Sequence, residues 1–327
     1  MTTATDQHEL LAKVASLYYE EELTQNEIAA RLGLSRVKIY RLLKQAKEEQ
    51  VVQIVIDWPI KRAARLEGEL SAAFGLSGAL VLQAGASDHS AGLHQLGQLA
   101  ARHLEQTLQD GATLTVCLGR STYETIAAIR PGFRAHVRVA PALGSMPFAV
   151  RELDSGALAR RLAQKLGGEW LDLAAPALAD SPADAEVLRN QREIRRALDL
   201  ARQADVALLG VGNLDPAQSG FVKGGFLTPE ELAALAAAGA VGDMGGHLFT
   251  LDGCLQDKTF DERIIGASLD DLKRIPQTIV VAAGREKGAA LLGALRTGAV
   301  DVLVTDDRTA AAVLALAQPA LETANGN

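Results

Sequence analysis

The spacing of apolar positions divides the chain into two unlike parts. Near the start, Leu10, Val14, Leu17 and Tyr18 recur on one helical face in a segment of about fifteen residues ending near Glu22. Thr24, Gln25, Asn26 and Glu27 then pair a hydroxyl with a carboxylate three positions on, the pattern of a capping box, and Ile28, Ala29 and Leu32 follow as a short second helix. Gly33 breaks that helix, Leu34 turns inward, and Ser35 is a good N-cap for a third helix that gathers Ile39, Leu42, Leu43 and Ala46 on one side. Residues 51–56 alternate as a strand that ends at Asp57, Trp58 and Pro59. A helix over 61–74, striped by Leu66, Leu70 and Phe74, reads as a connection. The pattern thus predicts an all-α domain at 1–57, a linker helix within 58–75 and a second domain at 76–320.

In the second part, short β-branched runs alternate with longer Ala-rich amphipathic segments. The strands are expected at 79–82, 114–118, 137–140, 206–211, 278–282 and 300–304, and the helices at 93–108, 158–166, 193–201, 230–237 and 286–295. This rhythm predicts an α/β fold with a parallel sheet covered on both faces. Strands this apolar belong inside such a sheet.

Composition narrows the classes. The chain has 327 residues, 48% of them hydrophobic and 22% charged, enough for two domains and too well balanced for disorder. Only two cysteines, Cys117 and Cys254, are present, so neither a zinc cluster nor a disulfide framework can be built, and no metal or cofactor is expected. Cysteine usage and the polar start, Met1 through His8, point to a reducing cytoplasmic compartment without a signal peptide, and no apolar run is long enough to span a membrane.

The net charge of −7 argues against a nucleic-acid binder on average, but its distribution does not. Arg31, Arg36, Lys38, Arg41, Lys44 and Lys47 fall in one stretch with no acid between them. Such an island on an acidic chain is the footprint of one small element that meets a polyanion. Helix, short Gly-containing turn, helix is also the spacing that braces a recognition helix in the major groove of duplex DNA. Thr24 and Gln25 sit where the first-turn amides of the brace helix face a phosphate, and Ser35 opens the recognition helix. Arg36, Tyr40 and Arg41 occupy its outward face, suited to base edges, while Lys38 and Lys44 suit phosphates.

Residues 23–43, LTQNEIAARLGLSRVKIYRLL, resemble the DNA-binding domain of the SorC family of bacterial sugar-responsive transcription regulators. The resemblance extends over most of the chain, through Gly239-Ala240-Val241-Gly242-Asp243, Ile264-Ile265-Gly266, Ile275-Pro276, Ala283-Gly284-Arg285-Glu286-Lys287 and Leu303-Val304-Thr305-Asp306. It implies an effector domain similar to ribose-5-phosphate isomerase and glucosamine-6-phosphate deaminase folds, a phosphorylated sugar as effector, and a homodimer or homotetramer on operator DNA.

Gly119, Arg120, Ser121 and Thr122 follow a buried strand and open a helix. Glycine lets the backbone approach an anion, the hydroxyls donate, and the helix N-terminus adds amides; the same residues would equally make an ordinary capped turn. The resemblance implies that Ser121 and Thr122 belong to the phosphate loop, whereas Leu118 stands where the family often has an aromatic residue. Gly144 and Ser145 end one strand and Gly210 and Gly212 another, so they are expected in the same crevice at the carboxyl ends of the sheet. Lys287, early in a helix where the dipole favours acids, is placed to meet a ligand anion, and the resemblance implies that it contacts phosphate. Asp243, among glycines, is suited to sugar hydroxyls. A second reading makes the chain a sugar-phosphate isomerase or deaminase with an N-terminal interaction module, in which Asp243, His247 and Lys287 exchange protons.

Overall fold

A computed structural model of the protein describes residues 4–49, 51–52, 59–83, 89–146 and 151–318. The chain forms two compact units, 1–57 and 58–327.

In the first unit, α1 (Ala4–Tyr19), α2 (Gln25–Leu32) and α3 (Arg36–Glu48) bury Leu11, Val14, Leu17, Ile28, Ile39, Leu42, Leu43 and Ala46 against one another. The first helix stops at Tyr19, three residues before the expected end. Both halves of the capping box are formed, with Glu27 N–H donating to Thr24 Oγ1 at 3.3 Å and Thr24 N–H to Glu27 Oε2 at 2.8 Å. Gly33 ends α2 at φ 65°, a left-handed conformation that side chains resist. Ser35 Oγ accepts Lys38 N–H at 3.2 Å, so the turn between α2 and α3 is fixed by the Gly33 C-cap and the Ser35 N-cap. Val51 and Val52 lie in a bend, and the rest of the expected strand, 53–56, lies outside the described residues.

The second unit carries an all-parallel sheet of seven strands: β1 (Gly78–Leu82), β2 (Thr113–Val116), β3 (Arg138–Pro141), β4 (Glu169–Trp170), β5 (Val206–Leu209), β9 (Gln277–Val281) and β10 (Val302–Asp306). Their order is β1-β10-β9-β5-β2-β3-β4. Successive residues sort to opposite faces: Val302 and Val304 join one apolar cluster while Leu303 joins the other. Between β5 and β9 the chain forms a three-stranded antiparallel sheet, β6 (Gly212–Asn213), β7 (Ala240–Met244) and β8 (His247–Thr250), which sequence pattern did not reveal. Its strands are short and Gly-rich, and a register shift between Ala240 and Gly242 disturbs the alternation.

The expected linker is a structural part of this second unit. Its helix, α4 (Ala64–Phe74), starts three residues later than expected because 61–63 run along β1, with Ala63 N–H on Val81 O at 2.9 Å and Gln83 N–H on Lys61 O at 2.8 Å. Leu70 is fully buried in the same cluster as Val81 and Leu303. The helices α5 (His89–Thr107), α6 (Arg120–Ala127) and α7 (Ser155–Leu166) also belong to this unit. From β2 the chain builds outward through β3 and β4; from β5 it builds the other way, through β9 and β10. The reversal between β2 and β5 opens a crevice beyond their carboxyl ends.

Candidate functional site

That crevice is a cleft of about 1080 Å³ in the second unit. After β2, Gly119 adopts φ 133°, open to glycine alone, and leads into α6, whose N-terminus has no side-chain cap. Its first-turn amides therefore remain available to an anion. Ser121 and Arg120 line the cleft. Thr122 stands just behind the wall: it is fully buried and its Oγ1 has no hydrogen-bond partner. A Cβ built on Gly119 or Gly210 would lie 3.9 or 3.8 Å from that oxygen, so the two glycine loops meet over it.

Across the cleft, Gly212 of β6 pairs with Asp243 of β7. A Cβ on Gly212 would sit 2.1 Å from Asp243 Oδ1, which explains the glycine. Burial pushes the Asp243 carboxyl up to about 6, against the Gly246 N–H and the nearby Lys287 and His247, which favour the anion. Burial lowers the Lys287 ammonium, with Asp243 and Glu286 opposing, and its Nζ donates to Val211 O at 2.9 Å. An acid and a base brought out of water on the same wall, each holding the other charged, are arranged to receive a polar ligand.

Seven of the ten expected effector residues line this cleft: Gly119, Arg120, Ser121, Gly210, Gly212, Asp243 and Lys287. Gly144 and Ser145 do not. Both are held by the neighbouring loop: a Cβ on Gly144 would lie 2.3 Å from Pro176 O, Ser145 N–H donates to Ala175 O, and Ser145 Oγ bonds Asp154 at 3.2 Å. The next residue, Met146, reaches the cleft instead. Sequence reasoning missed Arg285 and Arg308, which also line it; the Gly284 turn and the Asp306 cap beside them were their only local signals. Cys117 is buried in the wall, its thiol pushed up to about 12 by burial. His247 is buried behind the turn 245–246; one ring nitrogen meets Asp261 and the other meets Ala267 O at 2.9 Å, so it braces the turn rather than facing the cleft.

In the first unit, Arg36, Lys38, Tyr40, Arg41 and Lys44 are all exposed on α3. Tyr40 is 57% exposed and Val37, beside it, 60%, although the opposite face of the same helix is packed dry. Lys44 reaches Glu48 at 3.7 Å. Ser35 and Thr24 spend their hydroxyls on caps, Thr24 Oγ1 also donating to Glu27 at 2.7 Å. Gln25 and Arg36 instead line one shallow concavity, which brings the recognition helix's first arginine to the N-terminus of α2.

Comparison with known proteins places this geometry. Residues 58–315 match the family described as "Putative sugar-binding domain", and residues 12–48 match sigma-70, region 4. The chain is 32% identical over 321 residues to the transcriptional regulator LsrR of Klebsiella pneumoniae, covering 96% of this chain and 95% of that one. The full-length sorbitol operon regulator SorC from Klebsiella pneumoniae superposes with a TM-score of 0.71 at 28% identity, over 94% of this chain and 99% of its own. The chain belongs to the SorC family. It is a DNA-binding transcription regulator with a sugar-binding domain, and the deoxyribonucleoside regulator of Bacillus subtilis, 28% identical over 94% of this chain and 98% of that protein, is a further relative. The isomerase or deaminase reading gives way, because these relatives are regulators and because His247 is withdrawn from the cleft. Among the described residues of this SorC-family regulator, no acidic, His or Cys cluster could hold a metal and no helix is long and apolar enough to cross a membrane.

Proposed function

We propose that the effector of this regulator is a phosphorylated sugar. Its phosphate is received by the uncapped N-terminus of α6, with Ser121 as a side-chain donor, and its hydroxyls by Asp243 and Lys287. The observation that carries this reading is the buried, unpartnered Thr122 Oγ1 behind the uncapped N-terminus of α6. An orphaned buried hydroxyl is costly without a function for it. On DNA, Arg36 and Arg41 pair with base edges and Lys38 and Lys44 with phosphates, while the α2 N-terminus and Gln25 fix the register. The chain acts as a homodimer or homotetramer. Half-sites must lie ~34 Å or a multiple apart, so an effector that rotates the subunits changes operator affinity.

The test is a thermal-shift screen of the full chain and of Lys287→Ala against sugar phosphates. A ligand at one hundred times its dissociation constant adds about 2.7 kcal/mol to stability. Wild type shifts with one sugar phosphate and Lys287→Ala does not, while both bind operator DNA alike. A full shift in the variant would remove Lys287 from the site.

A further inference from the structure

We propose that Val37 is a specificity-determining residue of this regulator, seating the C5 methyl group of a thymine in the major groove. This rests on the reading that α3 enters that groove and extends it to a side chain without charge or hydrogen-bonding groups. Of the large apolar side chains among the described residues, Val37 at 60% and Tyr40 at 57% are two of the three most exposed, and they stand three positions apart on one helix. A single exposed apolar side chain is ordinary on a soluble protein. Two on the exposed face of α3, among Arg36, Lys38, Arg41 and Lys44, are not, and Val37 has no place in the apolar cluster that holds the first unit together.

At about 100° per residue, Val37 lies about 170° around α3 from the middle of the buried seam of Ile39, Leu42, Leu43 and Ala46, more nearly opposite it than any other residue of the first two turns. Arg41 and Lys44 fall on either side of it, and both are exposed. In a helix-turn-helix the N-terminal residues of the second helix meet the base edges, so the residue at the centre of the outward face of those turns is the one aimed at the groove floor. Here it carries an isopropyl group. Valine is also a poorer helix former than the arginine, lysine and leucine around it, because its χ1 is restricted against the preceding turn. At this exposed position it costs helix stability and gains no core contact in exchange, so its partner lies outside the chain.

Groove chemistry selects that partner. Among the edges that base pairs present in the major groove, the distinctive apolar group is the thymine C5 methyl, and the other features are hydrogen-bond donors and acceptors. Valine can answer none of the latter. It gains by covering a methyl and loses by covering the amino group of a cytosine or adenine, which it would strip of water without replacing the hydrogen bond. The arginines and lysines around it supply attraction to phosphates and polar edges, while Val37 supplies discrimination at one base pair in favour of thymine.

To test this, the full chain selects a recognition duplex from a random library, and each thymine of that duplex is then replaced singly by deoxyuridine, which keeps thymine's hydrogen-bonding groups and lacks only the methyl. Fluorescence anisotropy gives the affinities. For the wild type, deoxyuridine at one thymine position weakens binding by roughly threefold to fivefold, the worth of one methyl group taken out of water. Val37→Ala binds the thymine duplex more weakly by a similar factor and does not distinguish thymine from deoxyuridine at that position. It melts no lower than the wild type, since an exposed valine has no core contact to lose. A wild-type affinity indifferent to every thymine methyl overturns the proposal, and so does a thymine preference of full size in Val37→Ala. Arg36→Ala on the same duplexes separates that failure from failure of the underlying reading. Discrimination against a scrambled duplex that falls in Arg36→Ala, with no methyl effect anywhere, overturns the Val37 seat alone; discrimination unchanged in both variants overturns the placement of α3 in the groove as well.

Discussion

Asp243→Asn should make the protein more stable at neutral pH while depriving it of its effector. The carboxyl is held at about 6 in the folded chain against an ordinary 3.8, chiefly by burial. Its contribution is intact below 3.8 and is lost as the pH rises through about 6, because the unfolded chain releases the proton first. At about 1.4 kcal/mol per pH unit, holding the carboxyl at about 6 against 3.8 costs about 3 kcal/mol of stability at pH 7.5 and roughly half of that at pH 5, where the folded carboxyl is still mostly protonated. Asparagine does not titrate, so its advantage over wild type should widen by roughly 1–2 kcal/mol between those two pH values. Lys287 loses its counter-charge in the variant and trims the absolute gain. Urea unfolding of both proteins at the two pH values measures the difference. A variant less stable than wild type at pH 7.5, or equally advantaged at both, would refute the claim that desolvation dominates this carboxylate.

Three further outcomes follow from single contacts. Arg36→Ala should weaken operator binding by about 1–3 kcal/mol and change sequence preference if the guanidinium reads a base, and unchanged affinity for a mapped operator excludes that role. Gly144→Ala should cost about 1–3 kcal/mol or more in thermal unfolding, since its Cβ would lie 2.3 Å from the Pro176 carbonyl, a backbone atom that cannot swing aside. Gly68→Ala, inside α4 with nothing within 4 Å of the new methyl, should instead raise stability by about 0.5–1 kcal/mol; a loss would mean that α4 is not helical there.

The elements most legible in the sequence were those with a strong period and a local stop signal. The capping box at Thr24, the break at Gly33 and the cap at Ser35 act within a few residues, so α2 and α3 could be placed closely. The apolar parallel strands were equally plain, because burial on both faces removes polar positions. What escaped detection depends on contacts far apart in the chain. The small sheet of β6, β7 and β8 is held by pairing across some thirty residues and by the fit of Gly242 against Ala290, neither of which leaves a local period. α4 read as a linker because its partner face, on β1 and β10, is not visible from its own stripe. In the cleft, Gly119, Ser121, Gly212, Asp243 and Lys287 were found by the chemistry of strand ends and helix starts. Gly144 and Ser145 satisfied the same rule and went elsewhere, since the backbone of Ala175 and Pro176, distant in sequence, packs onto them. Arg285 and Arg308 are ordinary charged residues until two neighbouring strands bring them together.

The most direct measurement is the affinity of the full chain for a fluorescent operator duplex, by anisotropy, with each sugar phosphate and with its unphosphorylated parent. A phosphorylated sugar should shift the operator dissociation constant by roughly fivefold or more, the usual lower range of allosteric coupling, and its parent should leave it unchanged. An operator affinity that no sugar phosphate alters, or that the parent sugar alters equally, would contradict the account.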